Sequence, residues 1–496
     1  MKTSKLYVII LLLVASCAKD DPKPTPLTIE SFSPTSAAVG SQIQIIGTGF
    51  SSVPTDNNVQ FNGVKAQVLT NPSSTSLTVT VPISTSGKIT VQVGSQTVTS
   101  SDDFMYLTPT IKSFDPVAAG PVANVRIFGS NFSTTLSDNI VKINGVKATI
   151  SATNPSASEL NVVVPAGCES GYITVQIGDM VTTSATEFFY RKPVTVSTLA
   201  GGQVGYADGT NAVARFNGPA GVAVDADGFV YVAESRNHTI RKVAPNGTAV
   251  TLAGSGTAGN LNGNWTSAKF NAPYGVALDA AGNVYVADTF NHSIRKITPS
   301  GDVTTLAGSG VAGYSNGNGV SAQFNTPYGV GVDINGNIYV GEQDRIRKIN
   351  KMGDVTTFAE GLGAVIGLAL DKDGNIFVTD SQGDEVKKIT TSGNISSVRK
   401  FDSISNLGGI TVDKDGSLII ADFRLFVIWK ITPRGTMGFY AGGTCAGTKN
   451  GPGESACFES PFGVAFDKQG TLYVGDGVIQ SSGGNILNTI RKITVN

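Results

Sequence analysis

The chain has only two histidines, His238 and His292, and they stand in near-identical strings, NHTIRK and NHSIRK. Histidine is both the neutral-pH acid–base group and a common metal ligand, so the pair could serve zinc or a proton transfer. Carboxylates are the second resource. Six of them close short apolar runs: Glu234, Asp288, Glu342, Asp380, Asp422 and Asp476. A ring of carboxylates on one face could hold Ca²⁺. Basic residues follow close behind, at Arg241, Arg295, Arg347, Lys387 and Arg491, and would neutralise such a ring instead. Aromatic side chains are the third resource. Trp265, Tyr206, Tyr274, Tyr314, Tyr328 and Phe462 offer flat apolar faces with polar handles.

What must position these groups is a repeat. An apolar run, an aspartate, a glycine-containing turn and a second apolar run recur as GVAVDADGFVYVAES, GVALDAAGNVYVADT, GVGVDINGNIYVGEQ, GLALDKDGNIFVTDS, GITVDKDGSLIIADF and GVAFDKQGTLYVGDG. The turn-opening aspartates are Asp225, Asp279, Asp333, Asp371, Asp413 and Asp467. Each copy adds a third strand such as TIRKVAP and a fourth such as AVTLAG, which predicts six four-stranded blades over residues 194–496. The chain ends on a third strand. The string VSTLAGG at 196–202 matches VTTLAGS at 303–309 and is expected to supply the missing strand and close the ring. These repeats resemble the NHL family of β-propellers, and Asn237-His238 and Asn291-His292 take that family's signature Asn-His step. Equivalent positions elsewhere hold Asp344-Arg345, Asp384-Glu385 and Asn488-Thr489. Residues that obey a repeat register are fold determinants, whereas a ligand site breaks the symmetry. The histidines and the six acids are therefore expected to be structural.

Residues 27–107 and 108–190 also repeat each other. IESFSPTSAAVGSQIQIIGTGFS matches IKSFDPVAAGPVANVRIFGSNFS, and VQFNGVKAQVL matches VKINGVKATIS. Alternating apolar residues mark strands, and Asn62-Gly63 and Asn144-Gly145 are type I′ hairpin signals. The pattern resembles IPT/TIG domains, which implies two immunoglobulin-like β-sandwiches. The expected fold is all-β: two immunoglobulin-like sandwiches followed by a six-bladed propeller. Residues 1–16, with Lys2 and Lys5 ahead of an apolar stretch, read as an export leader. The string VASC ending at Cys17 resembles the bacterial lipobox, which implies lipidation at Cys17, with 17–26 as a stiff spacer. The AKDD that follows resembles the export signal of Bacteroidetes surface lipoproteins, so an outer-membrane lipoprotein facing the cell exterior is expected. Cys445 and Cys457 share one loop of an exported chain and are expected to pair.

Composition and motifs narrow the function. A formal net charge of −1 gives no basic field for nucleic acid. No nucleophile elbow or phosphate loop is present. Propeller lyases carry histidine-bound zinc on the axis, and lactonase-type propellers an axial calcium. The first-strand entrances here, from GPAGVAV to SPFGVAF, aim no His, Asp or Glu at the channel. No catalytic residue, metal or cofactor is expected. The connections between blades do break symmetry: they are long before blades one, two, three and six, and short before four and five. On strand alternation the long ones are expected to wall the top face and leave an opening over blades four and five. The reading that follows is a binding lipoprotein whose top-face aromatics hold a glycan. A protein–protein scaffold at the envelope is the alternative, and a propeller hydrolase or lyase the second alternative.

Overall fold

The computed structural model describes residues 25–151, 156–402, 405–443, 445–477 and 487–496. The leader and Cys17 lie outside the described residues. Contacts divide the chain into two units. The first holds the described residues up to Asp115 with Asn124–Val163 and Tyr172–Thr186; the second holds Pro116–Ala123, Val164–Gly171 and Glu187–Asn496.

Residues 27–190 form two β-sandwiches of the same design, each with one four-stranded and one five-stranded sheet. In the first, Ile43, Ile45, Val59, Leu77, Val79, Ile89 and Val91 alternate inward from both sheets around Phe61 and Phe104. The Asn-Gly hairpins are left-handed at both central residues, Asn62 (φ 43°) with Gly63 (φ 84°) and Asn144 (φ 46°) with Gly145 (φ 81°). That backbone matches the twist of paired strands.

Six sheets then form the propeller. Blade 1 consists of Pro219–Val224, Val230–Glu234, Thr239–Val243 and Thr248–Ala253, inner strand to outer. Blade 2 repeats this from Pro273–Leu278 to Asp302–Ala307 and blade 3 from Val330–Val332 to Asp354–Glu360. Blade 4 runs from Val365–Leu370 to Ile395–Lys400 and blade 5 from Leu407–Val412 to Met437–Ala441. Blade 6 takes Pro461–Phe466, Leu472–Asp476 and Leu487–Val495 from the end of the chain, and its outer strand is Val194–Gln203, antiparallel to Leu487–Val495. The ring thus closes as the sequence predicts.

The second strands are buried along their whole length because both faces pack on neighbouring blades. Their Val-Tyr-Val runs without polar alternation follow from that. The inner strands stand side by side around the axis. Each carries a glycine at the same level: Gly221, Gly275, Gly329, Gly367, Gly409 and Gly463. A Cβ on Gly275 would overlap the carbonyl oxygen of Tyr328 in the next blade, and one on Gly463 that of Ala220. The glycines let neighbouring backbones meet and draw the channel nearly shut. It keeps a cavity of about 70 Å³, far below the roughly 300–1,000 Å³ of small-molecule sites.

Candidate functional site

The histidines are structural clasps. His238 Nδ1 accepts the backbone N–H of Ala272 at 3.0 Å, and His292 Nδ1 accepts that of Thr326 at 3.1 Å. Each ties the loop after its own second strand to the entry of the next blade's inner strand. Burial lowers both imidazole pKa values, which suits a neutral ring accepting through Nδ1. At the closure between blades 6 and 1, Asn488 does the same work: its Oδ1 accepts the Gly218 N–H at 2.8 Å. Strand register aligns His238 with His292, Asp344, Asp384, Phe426 and Asn488. The Asn-His step is therefore offset by one from the Asp344-Arg345, Asp384-Glu385 and Asn488-Thr489 alignment expected from sequence. His238, His292, Asp384 and Phe426 are left-handed, with φ between 46° and 57°. Histidine and aspartate tolerate that region better than most residues.

The six acids are also internal. Glu234, Asp288, Glu342, Asp422 and Asp476 are fully buried, and Asp380 nearly so. In most blades one oxygen accepts a backbone N–H at the entry of the same blade's inner strand, for example Asn271 to Asp288 at 2.7 Å and Glu459 to Asp476 at 2.8 Å. The other accepts from the third strand: Arg241 to Glu234 at 3.0 Å, Arg295 to Asp288 at 2.8 Å, Arg347 to Glu342 at 3.1 Å, Arg491 to Asp476 at 3.0 Å and Lys387 to Asp380 at 2.9 Å. Burial raises the Glu234, Asp288 and Glu342 carboxyls against the pull of the arginines, and pushes Asp476 up to about 6. In blade 5 the cation is replaced by Trp429, whose Nε1 donates to Asp422 at 3.3 Å. No group of three or more metal-ligating side chains exists among the described residues.

The same arginines explain the long connections, and here the structure corrects the sequence reading. Those connections do not wall the top face. Each runs along the outer rim and adds a fifth, two-residue strand to the blade that follows it: Gly209–Thr210, Gly263–Asn264, Gly317–Asn318 and Gly451–Pro452. Arg295 holds its loop through the carbonyls of Lys269 and Leu261, both at 3.0 Å, and through Asn262 Oδ1 at 2.7 Å. Arg241, Arg347 and Arg491 repeat this with Asp208, Asn316 and Asn450. Beneath each arginine lies a fully buried ring, Phe216, Phe270, Phe324 or Phe458. A disulfide joins Cys445 to Cys457 in the last of these loops. The sequence signal was an Asx-Gly step before each fifth strand.

The aromatic candidates separate accordingly. Trp265 lies on the rim, left-handed at φ 45° and packed on Gly301 of blade 2's outer hairpin, where an added Cβ would overlap the indole. Tyr206 is 48% exposed on the rim, its hydroxyl accepting from Thr251 at 3.2 Å. Tyr314 lies under the Arg345 guanidinium, 4.0 Å from the ring centre, and accepts from Asn325 at 2.7 Å. These three do not join the others. Tyr274, Tyr328 and Phe462 do come together, at the top of the inner strands over the closed channel. Tyr274 meets Tyr328 edge-on at 5.1 Å and Phe462 at 6.0 Å. Phe423, which the sequence reading missed, extends the cluster, 5.7 Å from Phe462. Tyr274 is raised by burial and by Tyr328, while Arg236 and a hydrogen bond with Ser235 pull it back. Its phenol is a neutral hydrogen-bonding group at neutral pH.

Comparison with known proteins agrees with this architecture. The IPT/TIG domain matches residues 27–106 and 109–190, and the NHL repeat matches 216–243 and 270–297. NHL repeat-containing protein 2 of Gallus gallus is 35% identical over 107 residues, 21% of this chain and 15% of that protein. The chain spans 7% to 19% of the length of the curated relatives it matches. A structural genomics protein of unknown function from Bacteroides thetaiotaomicron aligns at 20% identity and TM-score 0.48, over 79% of this chain and 98% of that one. An auxiliary nutrient binding protein from the same organism aligns at 16% and TM-score 0.47, over 78% and 98%. Among the described residues no helix is long and apolar enough to cross a membrane. Residues 27–106 and 109–190 are IPT/TIG domains, and the propeller that follows them carries NHL repeats at 216–243 and 270–297.

Proposed function

We propose that this chain is a non-catalytic binding lipoprotein of the bacterial envelope, anchored at Cys17, facing the cell exterior from the outer membrane and holding a glycan over the mouth of the propeller channel. The observation that carries the reading is the aromatic cluster of Tyr274, Tyr328, Phe462 and Phe423 above a closed channel. The six glycines shut the axis, so a ligand rests on the rings rather than threading between them. Sugar rings present C–H faces that suit the half-buried rings of Tyr274, Tyr328 and Phe423, and the Tyr274 hydroxyl beside them is a polar group that can orient a sugar. The histidines and acids that could have supplied acid–base or metal chemistry are engaged in holding the blades together. Base–aromatic stacking gives a scale of roughly 1–3 kcal/mol per ring.

The test is a glycan-array screen of residues 18–496, followed by titration of the strongest binder against Tyr328→Ala. Binding should weaken about five- to a hundred-fold while the melting curve stays near wild type. Undiminished binding in Tyr328→Ala and Tyr274→Ala, or binding that follows residues 27–190 after truncation, would refute the site.

A further inference from the structure

A second cavity lies on the outer side of blades 5 and 6, and all its walls belong to the unit containing Glu187–Asn496. Its volume is about 610 Å³, within the roughly 300–1,000 Å³ of ligand sites. Pro121, Pro193, Val194, Tyr440 and Pro452 make the walls largely apolar, and Arg191 supplies a cation. Arg191 differs from the arginines of the blades. Each of those points its terminal nitrogens at a carboxylate and at loop carbonyls. The Arg191 side chain has no hydrogen-bond or ion-pair partner among the described residues, and its Nε is closed off from solvent without an acceptor. Lys192 beside it is already paired with Glu169 at 2.7 Å. The carboxylate on the wall, Glu454, is exposed. Tyr440, pushed up to about 12 by burial and by Asp413, stays a neutral phenol at neutral pH.

We propose that this cavity binds a small amphipathic anion, with its apolar body against the proline, valine and tyrosine walls and its carboxylate or sulfonate on the Arg191 guanidinium. A partly enclosed guanidinium is a strong, directional donor pair for such an oxyanion. Apolar walls of this extent reward an alkyl or aryl body. The site is independent of the channel mouth and does not rest on the glycan reading.

The test uses residues 18–496, which keep every described residue, with decanoate, decanol and decyltrimethylammonium as probes in calorimetric titration. Decanoate should bind one to one, roughly 10- to 100-fold tighter than decanol, the range of a charge-assisted hydrogen bond. The ammonium probe should bind weakest. Arg191→Gln should bring decanoate down to the level of decanol and leave decanol unchanged. Gly120→Leu should weaken binding of both by occupying part of the cavity. A Cβ at Gly120 would have only an ordinary contact, 3.5 Å from the Arg191 carbonyl oxygen, so the backbone accepts a side chain there and this variant tests the cavity independently of Arg191→Gln. Equal affinity for decanoate and decanol, no binding of either, or decanoate binding that survives both substitutions would overturn the proposal.

Discussion

Replacing His238 and His292 together by asparagine should remove an acid-sensitive part of propeller stability. Each imidazole accepts a backbone N–H from the next blade through Nδ1, and only the neutral ring can do so. Burial lowers the folded-state pKa of both rings. The unfolded chain therefore takes up protons first as pH falls. The contribution is complete above the unfolded value of about 6.5 and is lost as pH drops through that value toward the folded one. A net hydrogen bond contributes about 1 kcal/mol, and an orphaned partner that is only part-buried costs about 1–2 kcal/mol, so at about 1–2 kcal/mol for each clasp the two together are worth roughly 2–4 kcal/mol. At about 2 °C per kcal/mol for a domain of this size, protonation should lower the melting temperature by about 4–8 °C. Asparagine is the informative replacement because Asn488 already makes this bond to Gly218 at 2.8 Å and does not titrate. The double asparagine variant should melt near wild type at pH 7.5 and fall less steeply toward pH 5. The double alanine variant should be weaker at every pH. Calorimetry at constant ionic strength measures both slopes. An asparagine variant that loses stability with acid as steeply as wild type, or an alanine variant that melts like wild type at pH 7.5, would refute the clasp.

Arg295→Met should destabilise the propeller by about 3–5 kcal/mol, because it leaves Asp288 buried without its cation; urea denaturation gives the value, and a loss under 1 kcal/mol would contradict the clamp. Thr326→Gly should stabilise by about 1 kcal/mol. Thr326 is β-branched at φ 48°, its hydroxyl is buried without a partner, and Gly218 fills the equivalent place in blade 1; relief of left-handed strain exceeds the entropy cost of glycine, and a drop in melting temperature would contradict it. Cys445→Ser with Cys457→Ser should cost about 2–3 kcal/mol by reopening the rim loop before blade 6, read from denaturation with and without reductant; equal stability of the two forms would count against it. Cys17→Ala should release the protein from the membrane fraction or leave its leader uncleaved, and normal retention with normal processing would end the lipoprotein reading.

The blades were legible because their signals are local and repeated. Paired apolar runs around an aspartate-glycine turn give strand, hairpin and register together: Asp279 Oδ1 accepts the N–H groups of Ala281 and Asn283 and fixes the turn. The closing strand was legible because VSTLAGG copies a neighbour. The fifth strands were not. Two residues show no periodicity, and Asn262-Gly263 reads as any turn until the Arg295 side chain, which binds Asn262 and lies 33 residues further along the chain, is known to reach it. Trp265 is misplaced by the sequence for that reason: strand alternation alone stands its loop upright, whereas it lies along the rim. Phe423 was missed because its place, directly after Asp422, holds Ser235, Thr289, Gln343, Ser381 and Gly477 in the other blades, so no repeated aromatic signal marks it.

The asymmetry of the ring follows from how many acceptors one third-strand side chain can serve. Arginine presents two terminal nitrogens in a rigid fork, enough for the carboxylate, two loop carbonyls and an Asx oxygen together. The four blades with arginine at this position, Arg241, Arg295, Arg347 and Arg491, are the four that carry a fifth strand. Lys387 has one nitrogen, spent on Asp380 and the Leu362 carbonyl. Trp429 has one N–H, spent on Asp422. Neither can hold a second crossing of a loop, and blades 4 and 5 have short connections and four strands. Their outer edges need other protection, since an unpaired strand is a template for aggregation. In blade 5 the outer hairpin is held by Glu187, which accepts from Thr432, Arg434 and Thr436 at 2.7 to 3.2 Å, and Gly438 lies against the Phe189 ring. In blade 4 the edge strand Ile395–Lys400 stays exposed and ends in Arg399 and Lys400. Those charges keep a bare edge soluble. Replacing them by valine should therefore raise self-association of the propeller over wild type without loss of fold, an outcome light scattering reads directly.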